Sequence, residues 1–253
     1  MNIIGILAIV RFEMNRFLRT IGQSLLAPTL STSLYFIVFG SALGGRIDNI
    51  SHVPYALYIV PGLVMMNALT HSLSNAGFGI FAPRLFGTIY EVLSAPISFL
   101  EMTIAYCGAA TLKSLIISTV VLISASFFVD LNIMHPFWMV FFLVMTCMTF
   151  CLIGYICGFW ARGFEQLNIV PTLIVMPLTF LGGSFYSVSM LPPFWHTVSL
   201  FNPVFYLVNG FKWSFYEVSD VSIQYSICMV LFFLISAIIT LMLMHRSGRF
   251  LRS

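Results

Sequence analysis

Six long stretches of this chain carry almost no charge, and they restrict its fold more than any other feature. Each is long enough to cross a bilayer as a helix, which takes about 20 residues. Only 8% of the residues are charged, whereas about 25% are charged in a typical soluble domain. A β-barrel would instead show strands of about 10 residues that alternate apolar and polar side chains. The sequence therefore predicts an all-α integral membrane protein with six transmembrane helices, at residues 21–43, 55–81, 102–129, 137–161, 167–186 and 225–244.

A seventh stretch, residues 188–210, is also uncharged, so charge alone does not fix the number of spans. Pro192, Pro193 and Pro203 remove backbone donors from this stretch. Broken helix at membrane depth is tolerated only where protein or a wet cavity surrounds it. We therefore expect a re-entrant helical hairpin before the last span.

The distribution of basic residues predicts that both termini face the cytoplasm. With six spans, Arg46 and Lys212 lie outside, and the cytoplasmic set is Arg11, Arg16, Arg19, Arg84, Arg162, Arg246, Arg249 and Arg252. A seventh span would export the Arg-rich tail against the positive-inside bias. The net charge of +3 therefore reflects orientation and contact with anionic lipid, and we expect no nucleic-acid partner.

Residues 1–20 have the spacing of an amphipathic helix, ahead of a transmembrane domain that covers residues 21–253. Arg11, Arg16 and Arg19 lie largely away from one helical face, which carries Ile3, Ile6, Leu7, Val10, Met14, Phe17 and Leu18. Such a helix lies along the inner leaflet of the membrane. The simpler alternative is that this segment is only a positive topology signal.

The cytoplasmic connector at residues 82–101 is longer than a simple turn needs. Between Pro83 and Pro96 there is room for a helix of two to three turns. That helix would expose Tyr90 and Glu91 while Ile89, Val92 and Leu93 cover an apolar surface. We interpret it as a docking element facing the cytosol, with a plain turn as the alternative.

Three of the six spans carry polar stripes that contact with lipid does not explain. The first span has Thr29, Thr32 and Ser33, the second has Asn67, Thr70, His71 and Ser74, and the fifth has Asn168, Thr172, Thr179 and Gly183. Polar side chains in a membrane must face each other or water. Hydrogen bonds between helices and the lining of a translocation path both remain open at this point.

Lys113 is the one formal charge deep in a predicted span, and no predicted span contains an acidic residue to offset it. Holding a lysine at mid-membrane costs roughly 2.5 to 3.5 kcal/mol on insertion scales. Lys113 and His71 lie at a similar depth in antiparallel spans. The hypothesis is that Lys113 faces a hydrated cavity or a hydrogen-bonded cluster, for which His71 is a candidate member. The alternative is that Lys113 reaches towards the inner headgroups.

The sequence indicates that this chain is not an enzyme. Residues 107–112, which precede Lys113 and Ser114, lack the paired glycines of a phosphate-binding loop, so any ATPase must be a separate chain. Ser184 follows two glycines, but His245 lies at the opposite face of the membrane and cannot serve it as a base. We expect the five cysteines to be packing residues, and we expect no metal site.

Several stretches taken together resemble the membrane subunit of an ABC exporter of the second permease family. They are residues 58–63, 91–98, 171–187, 191–195, 202–203 and 247–253. The resemblance implies a homodimer of this chain in a bacterial inner membrane, above two copies of a separate ABC ATPase that binds ATP and Mg²⁺. This chain itself would need no cofactor. A heterodimer is left open, and so is the exported substrate, whether polysaccharide, lipid-like compound or drug.

The resemblance also implies roles for particular residues. The ATPase would dock on the loop helix at Tyr90, Glu91, Leu93 and Pro96. A path at the dimer axis would use Thr29, Thr32, Ser33, Asn67, Thr70, His71, Ser74, Lys113, Thr172 and Thr179. An external gate would use Phe185, Tyr186, Pro192, Pro193, Asn202 and Pro203. The rival function is an ATP-independent channel or secondary transporter that couples to protons through Lys113 and His71.

Overall fold

The computed structural model describes residues 2–43, 50 and 52–246, and this part of the chain is helical. The helices are α1 (Ile3–Arg19), α2 (Ile21–Tyr35), α3 (Tyr55–Leu85), α4 (Ile89–Ser94), α5 (Phe99–Ser126), α6 (Pro136–Trp160), α7 (Phe164–Ile169), α8 (Met176–Leu181), α9 (Pro193–Leu200), α10 (Pro203–Tyr216) and α11 (Ile223–Arg246). One π-helical segment, Phe36–Leu43, continues α2, and a second, Val170–Val175, joins α7 to α8. A 3₁₀ turn covers Val188–Met190. Arg46, Arg249, Arg252 and the stretch 247–253 lie outside the described residues.

The prediction of six membrane-spanning helices is confirmed. Among the described residues, six helices are long and apolar enough to cross a bilayer: Ile21–Phe39, Tyr55–Leu85, Phe99–Ser126, Pro136–Trp160, Phe164–Leu181 and Ile223–Arg246. α5 begins at Phe99 rather than residue 102 because Ser98 and Glu101 form a capping box there. We refer to Phe164–Leu181 as the fifth span.

α3 forms the centre of the bundle, and most of its side chains are buried. It packs most closely against α6, where a Cβ on Gly154 would lie 2.2 Å from the carbonyl oxygen of Leu73. Only glycine lets the two backbones approach so closely. Arg84, at the end of α3, donates to the carbonyl oxygens of Gly158 (2.9 Å) and Phe159 (2.5 Å). This contact satisfies carbonyl groups at the end of α6 that lack partners within the helix.

We distinguish the two ends of the bundle by the elements they carry. The loop-helix end holds α4, the start of α5 and the end of α11, where the His245 ring stacks on Phe99 at 4.6 Å. The hairpin end holds α9 and α10, each of which begins with a proline. Proline suits the first helical position because that backbone N–H has no partner in the helix. The segment predicted as a re-entrant hairpin, which we continue to call the hairpin, contains α9 and α10, and α10 runs to Tyr216, beyond the predicted limit at residue 210.

α1 has one narrow face buried against the protein, while part of its apolar face is exposed. Its buried residues are Ile9, Glu13 and Phe17, one turn apart along the helix. Ile3, Leu7 and Leu18 belong to the predicted apolar face and are exposed. Arg11 and Arg19 are exposed, and Arg16 is half-buried. The protein-facing side of α1 is therefore built around a carboxylate.

Candidate functional site

A cleft of about 350 Å³ lies where α2, α3 and the fifth span meet. α2 contributes Pro28, Ser31 and Tyr35, and the fifth span contributes Pro171, Thr172 and Met176. From α3 come Met66, Asn67, Thr70 and His71. The structure thus brings Asn67, Thr70, His71 and Thr172 together from two of the three polar stripes.

The helices around the cleft are partly irregular, and two of its polar side chains donate hydrogen bonds to backbone carbonyl oxygens of their own helix. Thr70 Oγ1 donates to the carbonyl oxygen of Met66 (2.9 Å), and Asn67 Nδ2 donates to that of Leu63 (2.9 Å). Pro171 lies in the π-helical segment of the fifth span. Such π-helical turns occur frequently at functional sites. A second π-helical segment continues α2 beyond Tyr35.

Several other predicted path residues do not line the cleft. Thr32 is buried beside it, with Oγ1 3.5 Å from Asn67 Nδ2. Thr179 is buried, and its hydroxyl donates to the carbonyl oxygen of Val175 (2.7 Å). Thr29, Ser33 and Ser74 are half-buried away from the cleft. On α2 the lining residues are instead Ser31 and Tyr35, which the polar-stripe argument missed.

Lys113 is not in the cleft, and its structural partner is Glu13. Lys113 Nζ lies 2.6 Å from Glu13 Oε2, and both side chains are buried. Arg16 Nη2 contacts the same carboxylate oxygen at 2.7 Å. The expected cluster around Lys113 therefore exists, but α1 supplies its carboxylate, and no described hydrogen bond joins Lys113 to His71. Sequence reasoning missed Glu13 because it sought acidic partners only within spans.

An aromatic cluster lies beside the cleft towards the hairpin end. Phe185 is its centre, with ring centroids 5.2 Å from Phe180, 6.0 Å from Phe39 and 6.1 Å from Tyr35. Tyr35 lines the polar cleft and also a neighbouring depression of about 290 Å³ that includes Phe39. Because Tyr35 belongs to both, the aromatic cluster and the cleft are continuous.

The turn after the fifth span is held by residues from three parts of the chain. Gly183 adopts a positive φ of 72°, a conformation that favours glycine. A Cβ on Gly62 would lie 2.0 Å from the Ser184 carbonyl oxygen, so α3 needs glycine where it meets this turn. Lys212 Nζ donates to the Gly183 carbonyl oxygen and lies 3.8 Å from the centre of the Tyr58 ring.

Lys212, which donates to this turn, has a pKa below its usual value. Burial lowers the pKa of Lys212 to about 7, and the negative charge of Asp220 opposes part of that change. The carboxylate of Asp220 accepts hydrogen bonds from the Ser187 hydroxyl and from the Val188 backbone N–H. The hairpin and the turn are therefore joined by charged and polar contacts at the edge of the bundle.

The predicted gate residues occupy both buried and exposed positions at the hairpin end. Phe185 and Asn202 are buried, and Tyr186 is half-buried. Asn202 caps α10 by accepting from the Val204 N–H (3.0 Å), and its Nδ2 donates to the Leu178 carbonyl oxygen (2.5 Å). The latter bond ties the hairpin to the fifth span. Pro203 starts α10, whereas Pro192 and Pro193 lie exposed at the start of α9.

The loop between α3 and α5 contains the short helix α4. Tyr90 and Glu91 are exposed and Ile89 is buried, as the spacing predicts. The prediction that Leu93 covers an apolar surface is wrong, because its side chain is 42% exposed. The segment after α4 contacts α1, where Asn2 Nδ2 donates to the Pro96 carbonyl oxygen (3.2 Å).

The start of α1 is also joined to the start of α5. The backbone N–H of Asn2 donates to Glu101 Oε1 at 2.5 Å. Glu101 Oε2 in turn accepts from the Ser98 backbone N–H (2.8 Å). One carboxylate therefore connects α1 to the segment that follows α4.

The six spans make this chain a multi-pass membrane protein, and a polar cleft lies between three of them. The ABC-2 type transporter family model matches residues 5–216, and the chain belongs to this family. It is a transmembrane permease of an ABC transporter, a class that works with an ABC ATPase.

Individual relatives agree with this assignment. The chain is 32% identical to the inner membrane transport permease YadH of Escherichia coli strain K12, over 95% of this chain and 94% of that protein. The same values hold for YadH of Shigella flexneri. Nodulation protein J of Sinorhizobium fredii is 22% identical over 64% of this chain and 61% of that protein. The relatives and the six apolar helices support a multi-pass protein of the inner membrane.

Proposed function

We propose that this chain forms the translocation path of an ATP-driven exporter and couples it to a separate ATPase subunit. The observation that carries the proposal is the polar cleft, which gathers Asn67, Thr70, His71 and Thr172 between three spans. The three spans that line it are the least apolar of the six. A polar surface within a membrane needs a polar partner or water, and a transported solute is such a partner.

Two copies of the chain would face each other across this cleft. Most residues of α2 and of the fifth span are not buried by the rest of the single chain, although these spans are less apolar than α5, α6 and α11. α11 is equally uncovered but is the most apolar span, which suits contact with lipid. The uncovered polar face at Ser31 and Thr172 is therefore the surface that favours a second copy, and the path would run along the axis of a homodimer.

The ATPase subunit would bind at the loop-helix end, one copy under each chain. Tyr90 and Glu91 are exposed on α4, and the connection from α4 to α5 is fixed by the capping box at Ser98 and Glu101. Movement of α4 would therefore reach α5 directly. Leu93 and Pro96 are also exposed and would extend the contact surface.

This assignment sets the orientation in the membrane. Arg84, Arg162 and Arg246 lie at the loop-helix end, so by the positive-inside bias that end and both termini would face the cytoplasm. The hairpin end then faces outwards, and the aromatic cluster around Phe185 would close the path on that side. α1 would lie at the inner leaflet.

Transport would proceed by alternating access powered outside this chain. ATP and Mg²⁺ bind to the partner ATPase, and closure of the paired ATPases shifts the population between inward-open and outward-open states. This chain supplies the path, the gate and the mechanical connection. The structure counts against the proton-coupled rival because Lys113 is already paired with Glu13 away from His71.

Reconstitution with a candidate ABC ATPase subunit from the same organism tests the proposal. We expect the double variant Tyr90→Ala/Glu91→Ala to lose co-purification of the ATPase and ATP-dependent transport by at least about tenfold, since about 1.4 kcal/mol of binding corresponds to that factor. Ser94→Ala is the matched control, because the Ser94 hydroxyl donates only within α4, to the carbonyl oxygens of Tyr90 and Glu91. Transport by the purified chain alone, without any ATPase, would refute the proposal.

A further inference from the structure

A second and larger cavity lies on a different side of the bundle from the polar cleft. Its volume is about 680 Å³, and α1, α5, α6 and α11 form its walls. Representative wall residues are Val10, Leu112, Met148 and Ile238. The volume falls within the roughly 300 to 1,000 Å³ typical of ligand pockets. None of the proposed transport residues lines it.

The interior of this cavity offers almost no free polar group. Its polar side-chain groups are the hydroxyls of Thr103 and Thr111, which are both used within α5, and the thiol of Cys107, which donates to the Cys151 carbonyl oxygen (3.9 Å). Thr103 Oγ1 donates to the Phe99 carbonyl oxygen (3.0 Å) and Thr111 Oγ1 to that of Cys107 (2.8 Å). Apolar cavities of this kind do not hold ordered water. The walls of the cavity therefore favour a hydrocarbon ligand over a polar one.

The cavity is open towards the outside of the bundle, where lipid surrounds the protein. Ile104, Leu112 and Met242 line it and are about half exposed. Along α5 it extends from Leu100 to Leu115, which corresponds to about 22 Å at 1.5 Å per residue. Half of a bilayer's hydrocarbon core is about 15 Å thick. The cavity is thus long enough for one acyl chain that enters from one leaflet.

Basic side chains lie at the loop-helix end of the cavity. The last turn of α11 follows the lining residue Met242, and there His245 stacks on Phe99, next to the lining residue Leu100. Arg246 comes next and is exposed. Positive charge beside an apolar cavity at the membrane surface complements an anionic lipid headgroup.

We infer that this cavity binds one anionic phospholipid of the inner leaflet, with an acyl chain along α5 and the headgroup beside Arg246. The choice of leaflet rests on the orientation given under Proposed function. The site itself does not depend on transport. A bound lipid would fill the space between α1 and α11 and so hold α1 against the bundle.

Gly108 provides a direct test because it lines the cavity and a Cβ there would meet no atom within 4 Å. Gly108→Leu should fill the cavity without disturbing the backbone. Gly22→Leu is the matched control, because Gly22 is equally open but lies on α2, outside the cavity. The full-length chain and both variants are purified without ATPase or nucleotide, and native mass spectrometry measures retained phosphatidylglycerol and phosphatidylethanolamine.

We expect the natural chain and Gly22→Leu to retain phosphatidylglycerol, and Gly108→Leu to lower its affinity at least about tenfold, since each buried CH₂ contributes about 0.8 kcal/mol. Arg246→Gln should reduce the preference for phosphatidylglycerol over phosphatidylethanolamine about fivefold.

The inference is overturned if the natural chain retains no phosphatidylglycerol, or if the two glycine variants lose it equally. Should Gly108→Leu fail to fold, the titration of the natural chain with the two lipids decides the matter, because equal affinity contradicts the site. Since no ATPase is present, failure of this inference leaves the transport proposal untouched.

Discussion

Glu13 and Lys113 are separated by 100 residues in the chain and form a buried ion pair, with Nζ 2.6 Å from Oε2. The pair joins α1 to α5. Glu13 also contacts Arg16, whose guanidinium lies 5.7 Å from the centre of the Phe78 ring of α3. Two cations therefore share one carboxylate. Removing Glu13 therefore leaves both cations without this carboxylate, whereas removing Lys113 leaves Glu13 paired with Arg16.

Loss of Glu13 should destabilise the protein more than loss of Lys113. Glu13→Gln leaves Lys113 buried without its carboxylate, and breaking a buried pair in this way costs about 3 to 5 kcal/mol. In Lys113→Met the carboxylate keeps Arg16, so the cost is smaller. The double variant removes both buried charges and should be more stable than Glu13→Gln alone. Thermal unfolding in detergent measures the order, and a double variant as unstable as the sum of the singles contradicts this account.

Gly62→Ala should prevent correct folding. Its Cβ would lie 2.0 Å from the Ser184 carbonyl oxygen, a backbone atom that cannot move aside without shifting the turn. Overpacking of this kind costs about 1 to 3 kcal/mol or more. Gly79→Ala, also on α3, is the control, because its Cβ would meet nothing closer than 3.8 Å. Fluorescence-detected size exclusion should show aggregation of the first variant only. Equal profiles would mean that the close approach at Gly62 is not required.

The stability of the hairpin end should increase with pH above neutrality. Burial lowers the pKa of Lys212 from 10.5 to about 7 in the folded protein. Between these values the unfolded chain binds a proton that the folded chain does not, so the free energy of unfolding rises with pH, by at most about 1.4 kcal/mol per pH unit. Unfolding temperatures from pH 6.5 to 9 measure this slope. Lys212→Met should flatten the profile, and an unchanged slope in that variant would assign the effect to another group.

Crosslinking should distinguish the proposed dimer face from the lipid-facing surface. Thr172 and Leu173 of the fifth span and Cys228 of α11 are all exposed in the single chain. Thr172→Cys or Leu173→Cys, each in a Cys228→Ser background whose four remaining natural cysteines are not exposed, should form dimers with a short bismaleimide in membranes. The natural Cys228 should not. Dimers formed through Cys228 alone would place the interface on α11 instead.

Hydropathy and charge predicted most of the fold because the bilayer imposes a simple rule on sequence. A span must be about 20 residues long and nearly uncharged, so its position is readable without tertiary information. The short helix α4 was also predictable, since Pro83 and Pro96 limit it and Tyr90 and Glu91 follow the helical repeat. The error at Leu93 arose because burial of so short a helix depends on what packs against it.

The cleft was only partly predictable. Of the polar stripe of α3, Asn67, Thr70 and His71 line the cleft and Ser74 does not; most of the stripe meets the cleft because α3 is regular and central and its faces follow the helical period. On α2 the same method chose Thr29 and Ser33 instead of Ser31 and Tyr35. Pro28 and the π-helical segment that begins at Phe36 alter the local helix, so ordinary spacing does not give its faces.

The sequence by itself determined that this chain is a six-span helical membrane protein of a known permease family, because span length, charge and local motifs are properties of contiguous residues. Only the tertiary structure decided that Lys113 pairs with Glu13, that Gly62 meets Ser184 and that Lys212 reaches Gly183. These contacts join residues that are distant in sequence, and their existence depends on how the helices pack. Packing is set by shape and close backbone approach across the whole bundle, which no single segment encodes.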